Sequence, residues 1–435
     1  MKKNFFCLLL LNLSFAFFCQ EVELLNLTVD KAVEIALENN ISIKKSSIEL
    51  EKAKIADKFS WNSISPSFQA GGTYTSSLEE NSDTFSITGT ASLNLFTNLF
   101  STMRAARLNY ESGLMSFEEA KRSVELSVRK TFYGLLYEKD NIELQKRGLE
   151  TSFKQYKTNQ EKFANGKISE LDVMTTKVRY EQKKPLVESA EITYRNDLAS
   201  FKQVLGIDQS VEIELSGNLD DVLSLKNISF ESLPVSQKPA PEVQSAEKSV
   251  EIAKNNLLAS RFSAYGPSIS ASFTLTENNS HVRDAISQQP TSEREWGDLA
   301  KTLRVGVNIP LDGYIPWSSS AAQVQNQKKS VKSAELSLEN ARTSVQIKTE
   351  NYLRKINQSI SQVTSLKSNV QLAEETYSLT QTAYNYGKTD LLSLQNASDS
   401  VLSAQVSVKQ QAYSLISSIL DLENLLGIDF GSLTK

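Results

Sequence analysis

The sequence predicts a mainly α-helical chain with a membrane β part: long antiparallel coiled-coil helices joined to four strands of transmembrane length. Three observations carry this prediction. The chain contains two copies of one arrangement, its longest proline-free stretches place apolar residues seven apart, and four stretches of about ten residues alternate apolar with small polar side chains.

The duplication is visible first at Val204-Leu205-Gly206-Ile207-Asp208, which returns as Leu425-Leu426-Gly427-Ile428-Asp429, 221 positions later. Gly166 lies 40 residues before Gly206, and Gly387 lies 40 residues before Gly427. Upstream, Pro66 matches Pro267 at an offset of 201, and Asn94 matches Asn308 at an offset of 214. The copies therefore differ by insertions between elements. The organisation expected is a leader over 1–19, a first repeat over 20–208, a linker over 209–240 and a second repeat over 241–435.

In the leader, Lys2 and Lys3 precede an apolar run from Phe5 to Phe18, and Ser14-Phe15-Ala16 offers a small-x-small cleavage site after Ala16. Such a segment predicts export. Cleavage there would leave Cys19 near the new N-terminus, which raises lipid attachment as an alternative; Phe18, where a small residue is usual, makes that the weaker reading. Cys7 and Cys19 are the only cysteines, so the exported body is held by packing rather than disulfides.

From Thr28 to Lys58, Val33, Leu37, Ile41, Ile48, Ile55 and then Phe59 recur at helical spacings behind a Thr28 cap, which predicts one helix. Strands follow. Phe68, Ala70, Gly72 and Tyr74 alternate with polar or small neighbours, and Phe85, Ile87, Gly89, Ala91, Leu93 and Leu95 share one face of the next strand. The second copy repeats the pattern with Ile269, Ala271, Phe273 and Leu275, then Leu303, Val305, Val307 and Ile309. Two readings fit: a soluble antiparallel sheet with one wet side, or a barrel wall, since a tilted strand of about 9–11 residues spans a bilayer.

Helices occupy the rest. Val324, Val331, Leu338, Val345 and Tyr352 form a seam in sevens that restarts, one turn on, as Ile356, Val363, Val370, Tyr377 and Tyr384. Seven-residue spacing marks coiled-coil packing, and the four-residue step is a stutter. The 68 residues from Asn98 to Gly166 make roughly 100 Å of helix, while the 34 from Leu171 to Leu205 and the 36 from Thr28 to Ile64 make roughly 50 Å each. Two short helices stacked end to end thus match one long one, and Gly206 and Gly427 end the returning helices halfway up, as left-handed caps. Pro234, Pro239 and Pro241 bound the linker, which is expected to pack as a collar around the middle.

Composition removes other classes. The net charge of -4 is spread along the chain, so no nucleic-acid surface is indicated. The single histidine, His281, lies in a polar stretch and reads as a solvated loop residue, leaving no histidine metal cluster or triad. No phosphate loop or nucleophile motif occurs, so neither catalysis, a cofactor nor a metal is expected. Four strands do not close a membrane barrel, because the smallest has eight and an open edge in lipid strands backbone donors. Two chains give eight strands filled by side chains, whereas three give twelve and a lumen.

In order and duplication these parts resemble the TolC-like outer-membrane efflux proteins. The marks are the opening Leu27-Thr28-Val29-Asp30-Lys31-Ala32-Val33-Glu34, the proline-led strands, the paired glycine turns and the doubled Leu-Gly-Ile-Asp. The resemblance covers the mature chain. It implies a homotrimer with a shared 12-stranded barrel in outer-membrane lipid and a helical tunnel across the periplasm. It also implies a role as exit duct of a tripartite efflux or type I secretion system, served by a periplasmic adaptor protein and an inner-membrane pump.

The same resemblance places the glycine turns at the periplasmic tip, where the tunnel closes and the adaptor docks. By position the tip comprises Phe163, Gly166, Lys167, Ile168, Ser169, Leu171 and Asp172, then Tyr384, Gly387, Lys388, Thr389, Asp390, Leu392, Ser393 and Asn396. Asp172 reads either as one third of an acidic ring or as a turn-capping carboxylate. Ser393, Asn396 and Thr389 stand where relatives often carry charge, which puts a second acidic constriction in doubt. Tyr384 reads as packing more than gate, and Lys167 and Lys388 equally as adaptor contacts or solvated lysines. Trp61 and Trp317, near strand ends, suit a membrane surface or the collar. The alternative is a periplasmic coiled-coil adaptor or scaffold of a transport complex, a class that usually has one helical hairpin flanked by compact β domains.

Overall fold

The computed structural model describes residues 25–77, 82–220, 239–282, 295–296 and 298–433. The leader with Cys19, and 221–238 of the linker, lie outside the described residues. Strand β1 (Leu25–Leu27) leads into helix α1 (Val29–Asn39), capped by the Thr28 hydroxyl, which accepts from the Lys31 N–H at 3.4 Å.

The single helix expected from Thr28 to Lys58 is two helices. Asn40 is extended (φ −61°, ψ 129°) and separates α1 from α2 (Ile41–Lys58). Its Oδ1 accepts from the Ser42 N–H at 2.8 Å, and its Nδ2 donates to the Val204 carbonyl at 2.7 Å. Asparagine competes with the backbone for hydrogen bonds and so favours caps over helix interiors. The break also divides the apolar residues: Val33 is buried on α1, whereas Ile41, Ile48 and Ile55 of α2 face outward, as does Phe59 beyond it.

The strands β2 (Ser67–Ser77), β3 (Ser82–Phe96), β5 (Ser268–Val282) and β7 (Ala300–Asn308) form one antiparallel sheet in the order β2-β3-β5-β7; the two-residue β6 (Glu295–Trp296) pairs with the far end of β5. Register puts the apolar residues on one face, because directly opposed residues share a side. Phe68, Ala91, Phe273 and Leu303 make one row across all four strands, and Leu93, Ala271 and Val305 the next. β3 and β5 are each 15 residues long, beyond the expected ten, and His281 belongs to β5, opposite Asp83, rather than to a loop.

Among the described residues five α-helices follow: α3 (Leu99–Ala164), α4 (Glu170–Leu205), α5 (Pro241–Tyr265), α6 (Ser319–Asn385) and α7 (Leu391–Leu426). α3 and α6, of 66 and 67 residues, are each about 100 Å long. α2 and α4 both lie along α3; α5 and α7 both lie along α6 and also against α3. The lateral order is therefore four columns, with the α2/α4 column at one edge and α6 at the other. Pro241, read as a breaker, is the first residue of α5, where its missing N–H costs nothing.

The core sits at the waist, where the short helices meet. There β1 pairs in parallel with β4 (Ile213–Leu215), and Leu27, Val33, Phe132, Leu135, Phe201, Leu205, Leu219 and Ile416 pack together. The described part of the linker thus lies at the middle of the helical body. Below Gly427 the chain folds back: the buried Glu423 carboxylate accepts from the Gly431 and Leu433 N–H groups, both at 2.9 Å, and Arg122 donates to the carbonyls of Glu423 and Ile428. The seam of α6 faces its neighbours, with Val324, Ile356 and Val363 buried and the helix unbroken through the step at Tyr352.

Candidate functional site: the helical tip

The α3–α4 connection is short because its backbone closes on itself. Gly166 takes φ 69°; its N–H donates to the Phe163 carbonyl at 2.8 Å, and the Lys167 N–H donates to the Lys162 carbonyl at 2.8 Å. These paired bonds satisfy the last carbonyls of α3 and require a residue that tolerates the left-handed region. The α6–α7 connection repeats them: Gly387 has φ 70°, its N–H donates to the Tyr384 carbonyl at 3.0 Å, and the Lys388 N–H donates to Ala383 at 2.8 Å. A Cβ built on Gly166 or Gly387 would meet nothing within 4 Å. Backbone angle alone demands glycine there.

The caps after the turns use one pair of side chains in opposite order. Ser169 caps α4: its hydroxyl accepts from the Asp172 N–H at 3.2 Å, and the Asp172 Oδ2 accepts from the Ser169 N–H at 3.2 Å and hydroxyl at 2.8 Å. In the second turn Asp390 caps α7, accepting from the Ser393 N–H at 2.7 Å, and hydrogen bonds from Ser393 hold its carboxyl below the usual range. Both acids sit in the first turn or cap of a helix, where the dipole favours negative charge. The structure therefore gives Asp172 a complete local role as a capping carboxylate.

Tyr384 joins the two turns. Its hydroxyl donates to Oδ1 of the fully buried Asn159 on α3 at 3.2 Å, and the Lys162 ammonium lies 4.5 Å from its ring centre. Burial pushes the phenol pKa up, the Asn159 bond works against this, and the Asp172 charge adds to it. Phe163, its counterpart in the first half, is exposed, as are Lys167, Leu171, Lys388, Leu392 and Asn396. Ile168 and Thr389 are half-buried.

Sequence reasoning missed a second link, higher on the returning helices. Arg179 of α4 donates to Gln395 Oε1 of α7 at 2.9 Å and pairs with Asp399, and Lys183 reaches Asp399 Oδ1 at 3.0 Å. Burial lowers the pKa of both cations, and the Arg179 charge lowers that of Lys183 further. The available signal was spacing: Arg179/Lys183 and Gln395/Asp399 are each one helical turn apart, so each pair shares a face.

Gly206 and Gly427 are not at the tip. With φ 71° and 72° they end α4 and α7 at the waist, about 54 Å away along 36-residue helices. A Cβ on Gly206 would stand 2.7 Å from the Asn39 carbonyl oxygen, and one on Gly427 2.9 Å from Pro241 Cδ. Each returning helix is thereby seated on the column it continues. Trp317, 87% exposed, and Trp61 lie by the helix-to-sheet transitions. Among the described residues no cluster of three or more His, Cys, Asp or Glu is placed to hold a metal ion, and no helix is long and apolar enough to cross a membrane.

Comparison with known proteins gives the same fold. The family described as outer membrane efflux protein matches residues 32–207 and 235–428. Among solved structures, the CmeC outer membrane channel of Campylobacter jejuni is similar at 19% identity, over 92% of this chain and 85% of that one, with a TM-score of 0.72. The outer membrane protein VceC of Vibrio cholerae aligns at 14% identity over 92% and 96% of the two chains, TM-score 0.72. The open state of the Neisseria gonorrhoeae MtrE outer membrane channel aligns at 19% over 92% and 89%, TM-score 0.65. At these identities the likeness shows the fold. No curated protein matches at the level of single sequences.

Proposed function

This chain belongs to the outer membrane efflux protein family, and from that membership we propose that three copies form one exit duct of a tripartite efflux or type I secretion system. The family is one of outer-membrane channels, not enzymes, which sets the coarse function and the location: the outer membrane, with the helices extending into the periplasm.

The observation that carries the trimer is the pair of unsatisfied edges. Among the described residues β2 pairs only with β3, and β7 only with β5 and not with β2, so a four-stranded sheet with one apolar face has two open sides. Backbone groups left open in lipid cost several kcal/mol each, on the order of the whole stability of a small domain, so the edges must meet those of further copies. The helices carry matching surfaces. Ile41, Ile48 and Ile55 of α2, with Leu171, Val178 and Ile192 of α4, are exposed along one edge column. Leu372 and Leu379 are exposed seven apart on α6, the opposite edge column, and exposed Tyr386, just past its end, continues the spacing. Unlike edges that meet head to tail generate a ring if the rotation closes. Three copies give twelve strands and twelve helical columns around one lumen.

In this duct the tip turns face the periplasmic adaptor and pump. The Tyr384–Asn159 bond and the Asp399 pair with Arg179 and Lys183 hold the α3–α4 hairpin to the α6–α7 hairpin near that entrance, and opening requires them to part. Exposed Gly166, Lys167, Gly387 and Lys388 form the surface on which an adaptor would dock. The experiment is the native mass of protein extracted from outer membranes in mild detergent, with three copies expected. A monomer released by a salt wash would overturn the duct and leave the strands to be read as an ordinary periplasmic sheet.

A further inference from the structure

The polar face of the sheet is almost uncharged. It carries Ser67, Gln69, Gly71, Thr73 and Thr75 on β2, and Thr84, Ser86, Thr88, Thr90, Ser92 and Asn94 on β3. On β5 it carries Ser268, Ser270, Ser272, Thr274 and Thr276, and on β7 Ala300, Thr302, Gly306 and Asn308, with one exception. The exception is Arg304. It is exposed, and it ends a complete row, Ser67-Ser92-Ser272-Arg304, that crosses all four strands. The row lies near the helical end of the sheet, four residues from the last residue of β7 and level with the first of β2.

We propose that Arg304, repeated around the trimer, forms a cationic collar at the base of the barrel lumen that favours anionic over cationic solutes in transit. The proposal rests on the shared-barrel reading, in which the apolar face meets lipid and the polar face lines the lumen. Twelve strands about 4.8 Å apart and tilted by about 40° close on a backbone circle of roughly 12 Å radius. A guanidinium reaching inward from that circle lies within about one Debye length of the axis, ~8 Å at 0.15 M salt, so three of them act on everything that passes. Rings of arginine or lysine select anions in pores, and the one acidic residue that register puts on the described polar face, Glu295 opposite Ser280, is eight β5 residues from the Ser272–Arg304 row, at the far end of the sheet. Uncharged groups surround it: the Ser67 and Ser92 hydroxyls in its own row are 2.7 Å apart, so the collar is the charged level at the helical end of the sheet. The collar's effect weakens as ionic strength rises.

The test uses cysteine chemistry on the full-length trimer in lipid vesicles, with the unsubstituted protein as background for Cys7 and Cys19. Thr302→Cys, beside Arg304 on the polar face, is reacted with an anionic sulfonatoethyl thiosulfonate and a cationic trimethylammonioethyl thiosulfonate. The ratio of anionic to cationic rates is expected to fall roughly threefold when Arg304→Gln is added at 0.15 M salt, and about twentyfold at 0.01 M, from three charges about 10 Å away. Arg304→Lys should restore the ratio. Val305→Cys, on the apolar face, should resist both reagents. An unchanged ratio in Arg304→Gln, with Thr302→Cys still reactive and Val305→Cys protected, overturns the collar alone. Equal reactivity at 302 and 305 overturns the barrel reading beneath it.

Discussion

Replacing each left-handed glycine with alanine should separate two roles that share one backbone angle. Gly166 and Gly206 have φ 69° and 71°, so an alanine at either incurs the left-handed penalty of roughly 1–2 kcal/mol. At Gly166 that is the whole cost, because a Cβ there meets nothing within 4 Å. At Gly206 the Cβ would lie 2.7 Å from the Asn39 oxygen and 2.9 Å from its carbonyl carbon, both backbone atoms. They cannot swing aside as a flexible side chain can. The α1–α2 break would have to move, and with it the Asn40 bonds to Val204 and Ser42. Overpacking of that kind adds about 1–3 kcal/mol, so Gly206→Ala should cost up to about 5 kcal/mol, two to three times as much as Gly166→Ala. Thermal unfolding followed by helical circular dichroism in detergent reads the difference, at about 2 °C or less per kcal/mol in a chain of this length. Gly427→Ala, blocked by the Pro241 ring, should fall between them. Equal shifts at Gly166 and Gly206 would refute the idea that the waist glycines seat one helix on the next.

Other perturbations probe single groups. Burial and the neighbouring Asp197 raise the Glu138 carboxyl to about 7 from 4.5, with the phenols of Tyr137, Tyr194 and Tyr413 near it. The folded form therefore holds its proton where the unfolded chain has lost it. Stability is full below about pH 4.5 and declines as pH rises toward about 7; Glu138→Gln should flatten that slope in urea midpoints taken at pH 5 and 7.5, and an unchanged slope removes Glu138 as its source. Asp172→Ala removes one half of a capping box and should cost about 1 kcal/mol in thermal stability. If Asp172 also forms an acidic ring, Asp172→Asn will weaken cation selectivity or block by multivalent cations in planar bilayers while Ser169→Ala will not; conductance unchanged in both respects by Asp172→Asn discards the ring. Asp399→Ala leaves Arg179 and Lys183 facing each other without their shared carboxylate. It should raise the open probability of reconstituted channels, and a lower one would contradict the role given to the link.

The sequence by itself determined whatever is local or periodic. Strand alternation assigns Phe273 and Leu303 to one face and Ser272 and Thr302 to the other, because successive side chains point to opposite sides. The duplicated Leu-Gly-Ile-Asp gives two returning helices, and residue counts alone match two short helices to one long one. Where Asn40 breaks a continuous apolar period, the outcome depended on a partner 164 residues away, the Val204 carbonyl, so no window around Asn40 contained it. Asp172 was open between ring and cap until the Ser169 geometry closed the cap, which is a matter of ångströms rather than spacing. The Arg179 and Lys183 link to Asp399 likewise exists because α4 and α7 approach each other at one height, and nothing in either helix names the other. Tertiary structure also decided that β3 lies beside β5, joining the two halves in one sheet and bringing Arg304 into a row with Ser67. Period is written into each segment by the backbone; which segments become neighbours is settled only when the whole chain has buried what it can.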